Sequence, residues 1–415
     1  MKKSIYLSCL FLIISILFFS CDPPSYQLSD GMWRGSLITE SGAEIPFNFE
    51  VNDSLGKPYL DIINSTDRFR VNEITIEGDS IHIQMPLFDS EIAGTLRDGK
   101  INGVWIKHLA DKDQTMTFYA QANAPWRIKE KVKKPTANVN GKWMTSFISG
   151  DGKDTTIAVG EFHQDKSRVT GTFLTTTGDY RFLDGIIEGN HLSLSTFDGS
   201  HAFLFTADIA GDSLLKNGKF YAGFSSIDDF TAKKDANAKL PDAYSLTFLK
   251  KGDNKISFTF PDLNHQMVSL SDAKFKNKVV IIQMLGSWCP NCMDETAYLS
   301  KFYNQYKDKG VEIVGLAYEI TKDFDRSKKN IERLKNRFDV QYPLLITGYT
   351  NNRDDALKSL PMLNRVIAFP TMIIIDKKGD VRKIHTGFSG PGTGKHYIEF
   401  GNEFEKLIND LIAEK

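Results

Sequence analysis

The sequence has few cysteines and no excess of either charge, and both absences exclude classes of function. The 415 residues contain only four cysteines, Cys9, Cys21, Cys289 and Cys292. A second pair close to Cys289 and Cys292 is missing, which excludes a four-thiolate zinc site built from this chain. The eight histidines have no ligand spacing such as His-x-x-x-His, so we expect no metal and no cofactor. The formal net charge is -1, so nucleic acid is not an expected partner.

The first 20 residues have the pattern of an export signal. Lys2 and Lys3 precede an uncharged apolar run over residues 5–19, which is shorter than a typical membrane span. Ser20 then stands directly before Cys21, an arrangement that resembles the bacterial lipoprotein signal, in which the cysteine is lipidated. We therefore predict a signal peptide over residues 1–20, lipidation of Cys21 and a tether over residues 21–27. Ordinary cleavage and an uncleaved anchor are the alternatives.

Alternation of apolar and polar side chains predicts β structure from about residue 28 to residue 232. Residues 45–51 and 81–85 both alternate, as is typical of strands with one buried and one solvated face. Short strands separated by Gly, Asp and Asn indicate a sandwich or a barrel.

Three patterns recur in this β half at offsets of 110, 111 and 115 residues. They are Gly31-Met32-Trp33 with Gly141-Lys142-Trp143, Ile76–Asp79 with Ile187–Asn190, and Gly103-Val104-Trp105 with Gly218-Lys219-Phe220. The recurrence predicts two similar β units in tandem, at residues 28–122 and 140–232, with linkers at 123–139 and 233–247. One larger barrel made from two halves is the alternative. The Gly-x-Trp pattern also resembles the opening of lipocalin- and avidin-type barrels, which would imply a ligand-binding role.

Residues 248–415 alternate between strands and helices, which predicts an α/β fold. Val279–Leu285 is an almost continuous apolar run, as expected of a central strand that is buried on both faces. Further strands are predicted at 311–317 and 343–346, with a hairpin at 371–385. Helices are predicted at 291–306, 323–337 and 397–413. The glycine-rich stretch Ser389–Gly394 is predicted to be a flexible loop.

The residues that carry chemistry are Trp288-Cys289-Pro290-Asn291-Cys292, which follow the central strand directly. A strand that ends in Cys-x-x-Cys and enters a helix is typical of a thiol-disulfide exchange site, with a redox-active disulfide between the two cysteines. The partial positive charge of a helix N-terminus favours the thiolate. Cys289 is therefore predicted to be the exposed nucleophile and Cys292 the resolving thiol. Pro290 suits the first helical turn, where no N–H is needed.

Residues from about 250 to 412 resemble the TlpA/ResA-like exported thiol-disulfide oxidoreductases of the thioredoxin superfamily. Three landmarks in the family's order carry the resemblance: Phe258–Leu263, Trp288–Cys292 and Phe369-Pro370-Thr371. The resemblance implies a thioredoxin-like fold and a cis peptide bond before Pro370. It also implies that the backbone of Phe369 pairs with an extended substrate and that Trp288 packs beside the dithiol.

Proton transfer at Cys292 requires a titratable group. Thioredoxins carry a buried acid at the position of Gln283, which cannot titrate here. Glu295 follows Cys292 by three residues and so lies on roughly the same helix face. ResA-like proteins have a glutamate at this spacing, and the resemblance implies an acid-base role for Glu295. The alternative is a solvated glutamate in the first helical turn.

These observations together predict a membrane-anchored, exported thiol-disulfide oxidoreductase that reduces protein disulfides. Its expected partners are protein dithiols or disulfides, a membrane thiol electron donor and the membrane itself. Its expected location is the periplasmic side of a bacterial envelope, on the inner or the outer membrane. A surface ligand-binding lipoprotein with an accessory thioredoxin-like domain is the alternative. A peroxidase is less favoured because Ile282 and Gly286 replace the peroxiredoxin proline and hydroxyl residue.

Overall fold

The structure is a computed structural model that describes residues 26–414. The predicted signal peptide and Cys21 lie outside the described residues. Within them, two β units in tandem precede an α/β region, which confirms the predicted fold class.

Residues 31–122 form nine antiparallel strands, which we call the open barrel. The sheet order is β4-β3-β2-β1-β9-β8-β7-β6-β5, so β4 and β5 are its two edges. The strands are β1 (Gly31–Ile38), β2 (Glu44–Ser54), β3 (Lys57–Asn64), β4 (Asp67–Val71), β5 (Glu73–Glu77), β6 (Ser80–Gln84), β7 (Ser90–Arg97), β8 (Lys100–His108) and β9 (Asp113–Ala122).

Residues 141–234 form a second set of nine strands, which we call the closed barrel. Here β12 pairs with both β11 and β14, and this closes a ring of eight strands that excludes the two-residue β13. The strands are β10 (Gly141–Ile148), β11 (Thr155–Asp165), β12 (Arg168–Thr175), β13 (Gly178–Asp179), β14 (Leu183–Glu188), β15 (His191–Phe197), β16 (Ala202–Ala210), β17 (Leu214–Ala222) and β18 (Ser226–Lys234).

The two barrels are structural repeats as well as sequence repeats. Trp33 and Trp143 occupy the same place in the first strand of each barrel, and both are fully buried. Each indole N–H donates to the carbonyl four residues earlier, Ser29 in the open barrel (2.9 Å) and Val139 in the closed barrel (2.8 Å). The recurring Gly-x-Trp pattern therefore marks a shared way of starting each barrel.

The interior of the closed barrel is filled by aromatic side chains. The rings of Phe205 and Phe220 stack with centroids 4.3 Å apart, and Phe147 and Phe173 pack edge-on at 5.2 Å. These rings occupy the space in which a lipocalin-type barrel holds its ligand. The resemblance to ligand-binding barrels thus extends to the strands and not to the interior.

The α/β region has a five-stranded sheet in the order β23-β22-β21-β24-β25. Its centre is β21, every residue of which is buried; β21 runs parallel to β22 and antiparallel to β24. A short hairpin of β19 and β20 precedes the sheet. The elements are β19 (Thr259–Pro261), β20 (Met267–Ser269), β21 (Val279–Leu285), α1 (Pro290–Tyr306), β22 (Val311–Glu319), α2 (Phe324–Phe338), β23 (Leu344–Thr350), α3 (Arg353–Ser359), β24 (Thr371–Ile375), β25 (Val381–Thr386) and α4 (Lys395–Ala413). The sequence patterns placed these elements within a few residues, apart from β19, β20 and α3, which they did not predict.

The two barrels are connected differently to the rest of the molecule. The buried apolar side chains of the open barrel are continuous with those of the α/β region, whereas the interior of the closed barrel is a separate core. Arg127, in the segment between the barrels, is buried and donates to Ile63 and Asn64 of the open barrel and to Ser195 of the closed barrel.

Within residues 26–414, no helix combines the length and the apolar composition needed to cross a membrane.

Candidate active site

The dithiol lies where the central strand passes into α1. Cys289 is the N-cap of α1, and the Cys292 backbone N–H donates to the Cys289 sulfur at 3.3 Å. Both cysteines are free thiols. A sulfur that caps a helix N-terminus receives an N–H and the positive end of the helix dipole, and both stabilise a thiolate. Burial, together with the adjacent Cys289, raises the pKa of the Cys292 thiol well above its ordinary value. The two thiols are therefore suited to different steps.

The loop before β24 lies against the dithiol. The Phe369–Pro370 peptide bond is cis, and the Cys289 thiol donates to the Phe369 carbonyl at 3.3 Å. Trp288 packs edge-on against the Phe369 ring with centroids 5.8 Å apart, and its indole N–H donates to Tyr318. The structure thus brings the residues of both sequence motifs together around one sulfur.

Gln283 and Glu295, the two positions relevant to proton transfer, are in direct contact. Both side chains are fully buried, and the Gln283 amide donates to one Glu295 carboxyl oxygen at 2.9 Å. The other oxygen of Glu295 has no hydrogen-bond partner among the described residues. Burial raises the pKa of Glu295 to about 8, so the carboxyl group is largely protonated at neutral pH. A solvated first-turn glutamate, the alternative interpretation, does not describe this side chain.

A second buried carboxyl group near the dithiol was not found by sequence reasoning. Glu319, at the end of β22, accepts from the backbone N–H of Ser287 at 2.8 Å and from its hydroxyl at 2.5 Å. Burial raises the pKa of Glu319 to about 7. These bonds hold the chain immediately before Trp288. An acidic residue at the end of a strand that neighbours β21 was the only available signal.

The predicted exposure of Cys289 is wrong. The residue is only 6% exposed, and its sulfur contacts the Phe369 carbonyl of the α/β region. The closed barrel is hydrogen-bonded to the residues on either side of it. The hydroxyl of Ser200 donates to the Trp288 carbonyl at 3.1 Å, and the guanidinium of Arg181 donates to the Pro290 carbonyl at 3.2 Å. Contacts between residues about 100 positions apart cannot be read from local spacing.

The glycine-rich stretch after β25 also differs from its prediction as a flexible loop. The backbone N–H of Gly390 donates to the Asp179 carboxylate at 2.6 Å, and Gly392 packs against the backbone of Arg181. This stretch therefore forms part of the contact between the closed barrel and the α/β region. Among residues 26–414, no cluster of three or more His, Cys, Asp or Glu side chains is arranged to hold a metal ion.

The α/β region is similar in sequence to known redox proteins. Residues 250–397 match the model of the Redoxin family. The thiol-disulfide oxidoreductase ResA of Geobacillus kaustophilus is 30% identical over 141 residues, which cover 34% of this chain and 72% of that protein. The ResA of Halalkalibacterium halodurans is 27% identical over 159 residues, which cover 38% of this chain and 77% of that protein.

A solved structure, the thioredoxin domain of a thiol-disulfide oxidoreductase from Bacteroides vulgatus, covers 39% of this chain and 99% of its own at 27% identity and a TM-score of 0.28. Residues 250–397, which match the Redoxin model, hold the Cys-x-x-Cys turn and the cis-proline loop. The chain belongs to the thioredoxin-like thiol-disulfide oxidoreductases related to ResA.

Proposed function

We propose that this protein is an exported, lipid-anchored enzyme that reduces protein disulfides through the Cys289–Cys292 dithiol. The observation that carries the proposal is the asymmetry of the two sulfurs. Cys289 caps the helix and accepts the Cys292 N–H, whereas Cys292 is fully buried and has a raised pKa. A sulfur that is stabilised as a thiolate for attack and a more deeply buried thiol for resolution are what disulfide reduction requires.

The reaction proceeds by two exchanges. The Cys289 thiolate attacks one sulfur of a substrate disulfide, forms a mixed disulfide and releases the other substrate sulfur as a thiolate, which takes up a proton. The Cys292 sulfur, once deprotonated, attacks the mixed disulfide. This step releases the second substrate thiol and leaves a Cys289–Cys292 disulfide. A thiol donor at the membrane then returns two electrons and two protons to the pair by the same exchange chemistry.

Glu295 is the proposed acid-base group for Cys292. It lies three residues further along α1, and its charge contributes to the raised pKa of Cys292. With its pKa raised to about 8, Glu295 is ionised in a minority of molecules at neutral pH, and this carboxylate can take the Cys292 proton during resolution and return it during re-reduction. The hydrogen bond from Gln283 holds the carboxyl group in place without competing for the proton.

The anchor and the location rest on the N-terminal sequence. Residues 1–20 have the charge and hydropathy pattern of a secretory signal, and Cys21 stands where a lipoprotein is acylated. An oxidising compartment supplies oxidation by other routes, so a dithiol anchored there favours a reductive role. We expect metabolic labelling with a radiolabelled fatty acid to tag the wild type and not Cys21→Ala.

A trapping experiment tests the reductase. Cys292→Ser removes the resolving thiol, so mixed disulfides through Cys289 should accumulate and be visible on non-reducing gels. The double variant Cys289→Ser with Cys292→Ser is the matched control and should trap nothing. Absence of trapped partners, together with no insulin-reductase activity in the wild type, would contradict the proposal.

A swap of side chains tests the role of Glu295. Glu295→Gln keeps the shape and removes the proton site, so we expect the rate of resolution to fall by ~100-fold. Adding Gln283→Glu moves the acid to the bonded partner and should restore part of that rate. A single Glu295→Gln variant with the wild-type rate and pH profile would show that the carboxyl group has no acid-base role.

A redox-silent variant distinguishes the reductase from the alternative, a surface binding protein whose redox part is accessory. Cys289→Ala with Cys292→Ala keeps the fold and abolishes exchange. Full restoration of a deletion phenotype by this variant would favour the binding role.

A further inference from the structure

An arginine from the closed barrel lies at the centre of a buried cluster of carboxylates next to the dithiol. The Arg181 side chain is 12% exposed and has Asp294 of α1 at 3.4 Å and Asp67 of the open barrel at 3.7 Å. Asp198 of the closed barrel is 4.0 Å away. One cation therefore connects all three parts of the molecule at the start of the active-site helix.

Arg181 also contacts the redox turn directly, and it does not act alone. Its guanidinium donates to the Pro290 carbonyl at 3.2 Å, between the two cysteines. Ser200 donates to the carbonyl just before Cys289, and Asn291 donates to the Asp179 carbonyl at 3.3 Å. Three hydrogen bonds between the closed barrel and residues 288, 290 and 291 thus hold the turn on both sides of the nucleophilic sulfur.

The backbone conformation and the surroundings of Arg181 indicate that packing of the closed barrel on the redox turn holds this side chain in place. Arg181 has a φ of 56°, a backbone region that side chains other than glycine rarely adopt. Although burial opposes its charge, the surrounding carboxylates hold the pKa of Arg181 above its ordinary value. A charged residue kept in this conformation and environment requires its partners to be in place.

We propose that Arg181 is a positioning residue for the redox centre: it holds the closed barrel over the Cys289 turn, and a protein substrate reaches Cys289 only when this contact opens. The inference follows from two observations that belong together. Cys289 is buried in the assembled chain, and the closed barrel is hydrogen-bonded to residues on both sides of it, Trp288, Pro290 and Asn291. A small thiol reagent needs much less displacement of the barrel than a folded protein does.

The test compares two reagents on the reduced, full-length protein. N-ethylmaleimide reports the intrinsic reactivity of the thiol, and the same maleimide group coupled to a large polyethylene glycol reports access for a protein-sized partner. We expect a low large-to-small rate ratio in the wild type. Arg181→Gln should raise it by roughly tenfold or more, since removing one partner of a buried ion cluster destabilises the contact. Arg181→Lys keeps the charge and should stay closer to the wild type.

A second variant reaches the same contact from the opposite side. A Cβ added at Gly392 would lie 2.8 Å from the backbone of Arg181, so Gly392→Ala should push the barrel away. The φ of Gly392 is not in the left-handed region, so the α/β fold should tolerate the change. This variant keeps the proposal testable if Arg181→Gln fails to fold.

The matched control is Arg168→Gln. Arg168 belongs to the same barrel and forms a two-pronged pair with Asp184 (2.7 and 3.1 Å), away from the dithiol. The Arg168→Gln variant should leave the large-to-small rate ratio unchanged. Equal rates with both reagents in the wild type, or an unchanged ratio in folded Arg181→Gln or Gly392→Ala, would overturn the proposal. Because the test measures alkylation of Cys289, its outcome does not depend on the proposed direction of electron flow.

Discussion

The open and closed barrels have the same strand order but differ at one edge, and that difference determines which of them reaches the redox centre. In the open barrel, β4 is five residues long and pairs along β3. In the closed barrel, the corresponding β13 has two residues, which leaves β12 free to pair with β14 and close the ring. The chain released after β13 carries Tyr180 and Arg181, and Arg181 contacts the dithiol turn. A shortened strand thus both closes a barrel and supplies a contact to the active site.

The two barrels also differ in how they are bound to the α/β region. The open barrel shares a continuous apolar core with it. The closed barrel contributes Phe197, Ala202 and Leu204 to that core, but its aromatic interior is separate and it contacts the redox turn through hydrogen bonds and ion pairs. Apolar burial stabilises in proportion to area and is insensitive to pH. Buried ion clusters depend on every partner being present. The closed barrel is therefore the part that is suited to move.

Replacing the equivalent tryptophans should give the largest difference in stability between the two barrels. Trp143→Ala should cost about 3 to 5 kcal/mol and unfold the closed barrel in a transition of its own, because its core is separate. Trp33→Ala removes the same atoms from a shared core and should lower the stability of the open barrel and the α/β region together. Differential scanning calorimetry with hydrogen exchange measures both. The same single shifted transition in both variants would contradict the comparison.

Arg127 tests how the two barrels are joined to each other. Arg127→Met removes a buried guanidinium that bonds the Ile63 carbonyl on one side and Ser195 on the other. Because buried polar groups lose their partners, we expect a loss of about 3 kcal/mol, measured by urea unfolding. Lys129→Met is the matched control from the same linker, since its side chain is 52% exposed. An equal effect of the two changes would show that Arg127 does not join the barrels.

Sequence alone was sufficient where the chemistry depends on neighbours in the chain. The helix start at Cys289, the position of Cys292 one turn later and the placement of Glu295 all follow from spacings of three residues. These are local relations, and a period of 3.6 residues encodes them. The contact between Gln283 and Glu295 was not predicted, although it joins a strand to the helix that follows it.

The contacts that cover the dithiol depend instead on packing between distant segments. Arg181 and Pro290 are 109 positions apart, and nothing in either neighbourhood indicates the other. The glycines at 390 and 392 gave a signal that was interpreted as flexibility. The absence of a Cβ also permits close approach of two backbones, which is its role here.

The contact of the closed barrel should weaken as pH rises. Burial raises the pKa of Asp294 to about 7, although Arg181 lowers it. If the barrel moves away, this carboxyl returns toward its ordinary value near 3.8. The pKa of Asp294 is higher when the barrel is docked than when it has moved away. Protonation of Asp294 therefore stabilises the docked state fully below about pH 4, and this stabilisation is lost as pH rises through about 7. The groups that face Asp294 are Arg181, Asp179, Asp198, Asp67 and Tyr397.

Among those groups, burial also raises the pKa values of Asp67 and Asp179, which act in the same direction. Asp198 stays charged because, despite burial, His201 and Arg181 lower its pKa to about 2. The large-to-small alkylation ratio should therefore rise by at least severalfold from pH 5 to pH 8. Both reagents attack the same thiolate, so its fraction cancels. Asp294→Asn should flatten the rise, and a flat wild-type ratio would contradict this account.

The polar contact of the open barrel with α2 should have the smallest effect. Arg326 pairs with Asp89 at 3.0 Å and donates to the His108 carbonyl, but its side chain is 29% exposed. Exposed ion pairs contribute little, so Arg326→Ala should cost at most ~1 kcal/mol in urea unfolding, and Asp89→Asn should cost no more. The shared apolar core remains, so the barrel stays in place and the alkylation ratio should not change. A loss as large as that of Arg181→Gln, or a raised ratio, would mean that ion pairs hold both barrels alike.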